Sequence, residues 1–200
     1  MEQIELNKLP QYTHLINFIL NQKNKYKKTE SEVLREFDRE KWNHLLTNAK
    51  KKNKLTRNDV IYAELEKDHQ SIYFNKDRGF ILDRNEKIIK ENIDLYEKVL
   101  SKYTNHSSGL VELGAGYGAK LINLASRNFA LNLDLYAGEM AKSGVDIIKL
   151  FSNKLNLNIK TQLYNFKKST KQTFFIPENA VIYTSYAMHY IPNIKKEYFY

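Results

Sequence analysis

Cysteine is absent from this 200-residue chain, which excludes disulfides, thiolate metal sites, iron–sulfur clusters and cysteine nucleophiles. Glycine is scarce, at seven residues, so any clustering of it is informative. No apolar run approaches the ~18 residues that suggest a membrane span. The opening MEQIELNKLPQYTH also lacks the basic-then-apolar pattern of a signal peptide. A soluble, cytoplasmic protein is therefore expected, long enough to bury a real core as one domain or as one domain with a smaller appendage.

Acidic residues are in deficit: the formal net charge is +9, which raises nucleic acid or a membrane surface as a partner. The excess is spread over both halves, with dense runs at Lys23 to Lys28 (KNKYKK) and Lys50 to Arg57 (KKKNKLTR). Such runs read as solvated loops or helix ends.

The first hundred residues read as helical. Tyr12, Leu15, Ile16, Ile19 and Leu20 recur at i, i+3, i+4 spacing, and Leu34, Phe37, Trp42, Leu45 and Leu46 do so more loosely. Thr29 with Glu32 fits a capping box that starts the second of these helices. Asp83 with Glu86 predicts the start of a third, whose stripe runs through Ile89, Ile93, Tyr96, Leu100 and Tyr103. TNHSSG, residues 104 to 109, is the best loop signal in the chain. A boundary near 104/105 is expected to divide a helical N-terminal lid or substrate region from a second region at 105–200.

From Gly109 the texture changes to short apolar runs alternating with helical periods, as a parallel sheet requires, because each crossover carries a helix. Strands are predicted at about Leu110 to Leu113, Leu133 to Ala137, Ile159 to Tyr164 and Ala180 to Thr184. Helices are predicted near Ala119 to Asn128, Met140 to Leu155 and from about Ile194. The fold class is thus α/β, a Rossmann-like, mostly parallel sheet behind a helical N-terminal region.

Three of the seven glycines fall in LVELGAGYGAK, residues 110 to 120. A strand carrying Glu112 runs into Gly114, Ala115, Gly116 and Gly118 before a helix. Backbone without Cβ atoms there can pass close to a ligand. A dinucleotide loop would read G-x-G-x-x-G. Here the spacing is G-x-G-x-G after a carboxylate, which repels a pyrophosphate and suits a ligand with a positive end.

Residues 111 to 118, VELGAGYG, resemble motif I of the class I S-adenosylmethionine-dependent methyltransferases, a hydrophobic strand followed by Asp/Glu-x-G-x-G-x-G. The resemblance implies that an acid after the second strand binds the cofactor's ribose. Glu139 in LDLYAGEMAKSG takes that place, with Met140 against the adenine. Asp134 competes for the role but falls at the start of the strand. In QLYNFKKS the resemblance puts Asn165 at the adenine amino group, followed by Phe166. Asn165 departs from the commoner Asp but can accept the same bond. NAVIYTSYAMHYIP supplies Ser185 beside the sulfonium and His189 as a general base for a substrate hydroxyl. A plain packing role for His189 stays open.

The Asn/Asp/Ser-Pro-Pro-aromatic sequence of enzymes that methylate base amines is missing, and without cysteine the thiol-dependent C5 base methylases are excluded. The expected activity is methyl transfer to a small molecule, a sugar or secondary-metabolite hydroxyl. RNA methylation is the alternative that the basic runs suggest. A truncated, non-catalytic domain that binds the cofactor or a partner chain is the other. The family's strands five to seven have no counterpart here, which leaves strand four as an expected exposed edge for a partner chain or a homodimer. SIYFNKDRGFIL, residues 71 to 82, is the N-terminal segment expected nearest the cofactor.

Overall fold

The computed structural model describes residues 2–9, 29–167 and 176–188. The expected helix at Tyr12 to Leu20, the helix from Ile194 and His189 lie outside the described residues. Contacts divide the chain into two units, one holding residues 2–9 and 64–95, the other 29–63, 96–167 and 176–188. The division therefore differs from the expected boundary at 104/105. Among the described residues no helix is long and apolar enough to cross a membrane.

The first unit contains a sheet that helical periodicity did not predict. Strands β1 (Glu2–Ile4), β2 (Gln70–Asn75) and β3 (Gly79–Arg84) pair antiparallel in the order β1-β3-β2. SIYFNKDRGFIL is thus a hairpin rather than part of a helical region. Its turn is chemical in origin: Asn75 Oδ1 accepts from the backbone N–H groups of Asp77 (3.0 Å) and Arg78 (3.1 Å). Phe74 then faces Phe80 across the ladder, their rings 5.3 Å apart and edge-on.

This sheet also corrects the expected N-cap. Asp83 lies in β3, and the helix at Asn85–Thr104 begins two residues later. The Asp83 carboxylate accepts from Arg84 N–H (2.8 Å) and sits 3.5 Å from the Lys87 ammonium. Asn85 instead ties the helix start back to the Glu66 carbonyl through Nδ2, 2.7 Å away. The Asp-x-x-Glu pattern is purely local, and strand pairing that runs through Arg84 overrides it.

Between β1 and β2 in sequence come α1 (Glu30–Leu34), a seven-residue π-helical turn (Arg35–Lys41), α2 (Trp42–Lys51) and α3 (Arg57–Ile61). The capping box expected at Thr29 forms: its Oγ1 accepts from Glu32 N–H, and the Glu32 carboxylate accepts from Thr29 N–H at 2.7 Å. Trp42, Leu46 and Ala49 put one buried stripe along α2, which packs on the helix at Lys142–Lys154.

The second unit is built on β4 (Gly109–Leu113), β5 (Asp134–Glu139), β6 (Ile159–Leu163) and β7 (Ala180–Thr184), all parallel, in the order β6-β5-β4-β7. Helices α5 (Ala119–Leu124) and α6 (Lys142–Lys154) accompany them, and α4 (Asn85–Thr104) begins in the first unit, with its residues from Tyr96 on belonging to the second. All four strands fall within about two residues of their predicted positions; β4 and β5 are the apolar runs buried on both faces, while β6 (IKTQL) and β7 are only partly buried. Every residue of central β4 is buried. Leu121, Ile122, Leu124, Ile147 and Ile148 on α5 and α6 are fully buried. Val111 and Leu113 join Tyr136, Tyr164 and Phe166 in a second cluster.

Candidate cofactor site

In a parallel sheet the carboxyl ends of the strands and the loops that follow them converge on one edge, where ligands bind. Gly114, Gly116 and Gly118 fill the loop after β4 with φ of +73°, +60° and +82°. The loop is tied to the neighbouring strand, since Gly114 and Ala115 both donate N–H to the Gly138 carbonyl, at 2.7 and 3.1 Å. Gly118, in the left-handed conformation, turns the chain into α5.

Two buried carboxylates flank this loop. Glu112 is 2 % exposed, and its Oε2 accepts from the Tyr183 hydroxyl at 3.1 Å. Burial pushes its pKa up to about 7, although the nearby Lys120 ammonium and the Tyr183 bond pull the other way. Glu139 ends β5 and uses both oxygens: Oε1 accepts from Ala141 N–H at 2.9 Å, and Oε2 accepts from Gly116 N–H at 2.8 Å. Burial raises it too, to about 7, against those backbone bonds. Gly144, one turn into α6, allows this approach, because a Cβ there would stand 2.7 Å from both Glu139 Cγ and the Gly116 carbonyl oxygen.

Met140 follows Glu139, half-buried. Asn165 lies just beyond β6, its Oδ1 accepting from Lys167 N–H and its Nδ2 donating to Glu30 Oε1, both at 2.9 Å. Phe166 is a core aromatic, packed edge-on to Tyr164 with centroids 5.1 Å apart. Ser185, just past β7, is buried with its Oγ 2.5 Å from the Tyr96 hydroxyl. Asp134 sits at the opposite end of β5 from the loop, bonded to Tyr136 and Lys160.

Several groups here had no signal in the sequence. Tyr183 reaches Glu112 because the two are register partners across β4 and β7. Tyr96, read only as one member of a helical stripe, meets Ser185 across the fold. Lys120 holds its ammonium 4.8 Å from the centroid of the Tyr186 ring. Trp42, Asp38 and Glu30 reach the loop, the first turn of α6 and Asn165 respectively.

No protein-family model and no curated protein matches this sequence. Solved structures do match. The cyclase SpnF is 15% identical over 71% of this chain and 45% of its own, with a TM-score of 0.43. Coclaurine N-methyltransferase, bound to N-methylheliamine and SAH, is 19% identical over 78% of this chain and 43% of its own, with a TM-score of 0.39. Geranyl diphosphate C-methyltransferase from Streptomyces coelicolor A3(2), in complex with Mg2+, geranyl diphosphate and S-adenosyl-L-homocysteine, is 13% identical over 68% of this chain and 55% of its own, with a TM-score of 0.37. The chain thus spans about half the length of these solved structures.

Proposed function

We propose that this chain carries the S-adenosylmethionine site of a class I methyltransferase whose acceptor is a small molecule, a hydroxyl compound in the first instance. The observation that carries the reading is the glycine loop set between two buried carboxylates, Glu112 in β4 just before it and Glu139 bonded to its Gly116 N–H. Carboxyl groups at that edge, raised to about 7 by burial, ionise more readily beside a cation, so they oppose a pyrophosphate and favour a ligand that brings an ammonium and a sulfonium. A carboxylate has about four lone-pair directions. Glu139 accepts from Gly116 and Ala141 and keeps capacity for ribose hydroxyls. The residues present therefore fit the cofactor.

S-adenosylmethionine, when bound, supplies an electrophilic methyl group on sulfur. The chain's own part is to hold and orient. The loop from Gly114 to Gly118 lets backbone approach the ligand, Glu139 takes the ribose, and Asn165 takes the adenine edge. Ser185, fixed by Tyr96, borders the reacting side. His189 is the proposed acceptor of a hydroxyl proton. Residues 29–51, which cover the glycine loop through Trp42, are the part of the proposed N-terminal lid that supports this reading.

Calorimetry with S-adenosylhomocysteine tests the proposal. Micromolar binding by the folded chain, weakened at least tenfold in Glu139→Ala, is the expected result. A chain that stays folded and binds none, even when substitutions loosen residues 29–51 from the loop, would remove the reading.

A further inference from the structure

The glycine loop after β4 and the helix start after β5 are covered by the chain itself. The six-membered ring of the Trp42 indole covers Gly116, so that a Cβ on that glycine would stand 3.2 Å from Trp42 Cζ2. The same indole approaches Gly144 and stacks at a tilt on Tyr117, 5.1 Å between centroids, and it is only 6% exposed. One turn earlier, in the π-helical segment, Asp38 Oδ1 accepts from Ser143 N–H at 2.6 Å, and the Asp38 carbonyl accepts from Ser143 Oγ–H at 2.9 Å. At the start of α1, Glu30 Oε1 accepts from Asn165 Nδ2 at 2.9 Å. The glycine loop, the helix turn after Glu139, and Asn165 are all gripped from one stretch of chain. The loop and Asn165 are places assigned above to the cofactor, and the helix turn directly follows Glu139, the third.

We infer that residues 29–51 form a self-occupying gate: a nucleoside cofactor and this strap compete for Gly116 and Asn165, so ligand binding and strap release are one equilibrium. The inference rests on the S-adenosylmethionine reading of the loop. Its device is a strap with discrete polar latches at Glu30 and Asp38 and an aromatic plug at Trp42. The π-helical turn between them is a geometry that recurs at functional sites and sets Asp38 against α6. A ligand that binds only the released form has its affinity reduced by the fraction released. Weakening a latch therefore tightens binding, the reverse of what losing an ordinary binding residue does.

Trp42 is the chain's single tryptophan and so reports the plug directly. S-adenosylhomocysteine is titrated into the wild-type chain and into Glu30→Ala and Asp38→Ala, with calorimetry for affinity. Trp42 emission and its quenching by acrylamide report the plug, and circular dichroism confirms that each variant is folded. The expected result is a red shift and greater quenching on binding, with affinity raised about tenfold in the latch variants, the order of one charge-assisted hydrogen bond. Calorimetric binding with unchanged Trp42 emission and quenching, and with wild-type affinity in Glu30→Ala, would overturn the gate alone. Absence of binding in the wild type and in both folded latch variants would instead overturn the cofactor reading and the gate with it.

Discussion

Gly114 shows how much of the site is set by single residues. Its φ is +73°, and a Cβ on it would lie 2.3 Å from the Ala187 Cβ, closer than two carbons pack. Gly114→Ala therefore combines a left-handed backbone with an overpacked contact, and it is expected to cost about 1–3 kcal/mol. Urea unfolding reads this as a lowered midpoint, and an unchanged midpoint would mean that the segment around Ala187 yields freely. The need for glycine here was legible in the sequence, because strand, carboxylate and alternate glycines follow one another within ten residues. Trp42 was not legible as part of the site. In the sequence it is one apolar position on a loosely amphipathic helix, and only the fold lays it on Gly116.

At the scale of elements, caps decide where short helices begin. Helix α3 is five residues long and starts on a reciprocal box: Thr56 Oγ1 accepts from Asp59 N–H at 3.3 Å, and Asp59 Oδ2 accepts from Thr56 N–H at 2.7 Å. The Lys52 ammonium, bonded to Asp59, and the Thr56 bonds hold that carboxyl at a pKa of about 2. Because α3 packs on α5, the helix that the glycine loop starts, its cap matters beyond its own turn. Thr56→Ala is expected to lower stability by about 1 kcal/mol, seen as a shifted urea midpoint with an unchanged slope. Caps can also mislead. Asp83 carries the same local pattern yet ends up inside β3, because pairing with β1 and β2 outweighs one capping bond.

Across the whole molecule, the two buried carboxylates give stability an unusual pH dependence. Glu112 and Glu139 titrate near 7 in the fold and near 4.5 when unfolded, with burial as the leading cause for both. Between those values the native state holds protons that the unfolded chain has released, so stability falls as pH rises. The contribution is fully present below about pH 4.5 and is lost as pH passes 7. The loss is on the order of 3 kcal/mol per group. Asp59 acts in the opposite sense, and its stabilisation is lost only as pH drops below about 4 towards 2. Urea unfolding should therefore give a maximum near pH 5 and a decline towards pH 8, and Glu112→Gln should flatten the decline. Equal or greater wild-type stability at pH 8 would show that both carboxylates are ionised in the fold.

The sequence by itself determined the four parallel strands, two of the helices between them and the glycine loop. Each is written in residues only a few positions apart, as an apolar run, a helical period or a turn that needs glycine. Tertiary structure alone decided what meets across those elements. Register set Tyr183 against Glu112, a hairpin made strands where helical spacing was read, and residues 29–51 folded over the loop to bring Trp42, Asp38 and Glu30 to it. Local periodicity specifies the path of a backbone segment, whereas contacts between distant side chains depend on how whole elements pack, which no short window of sequence contains.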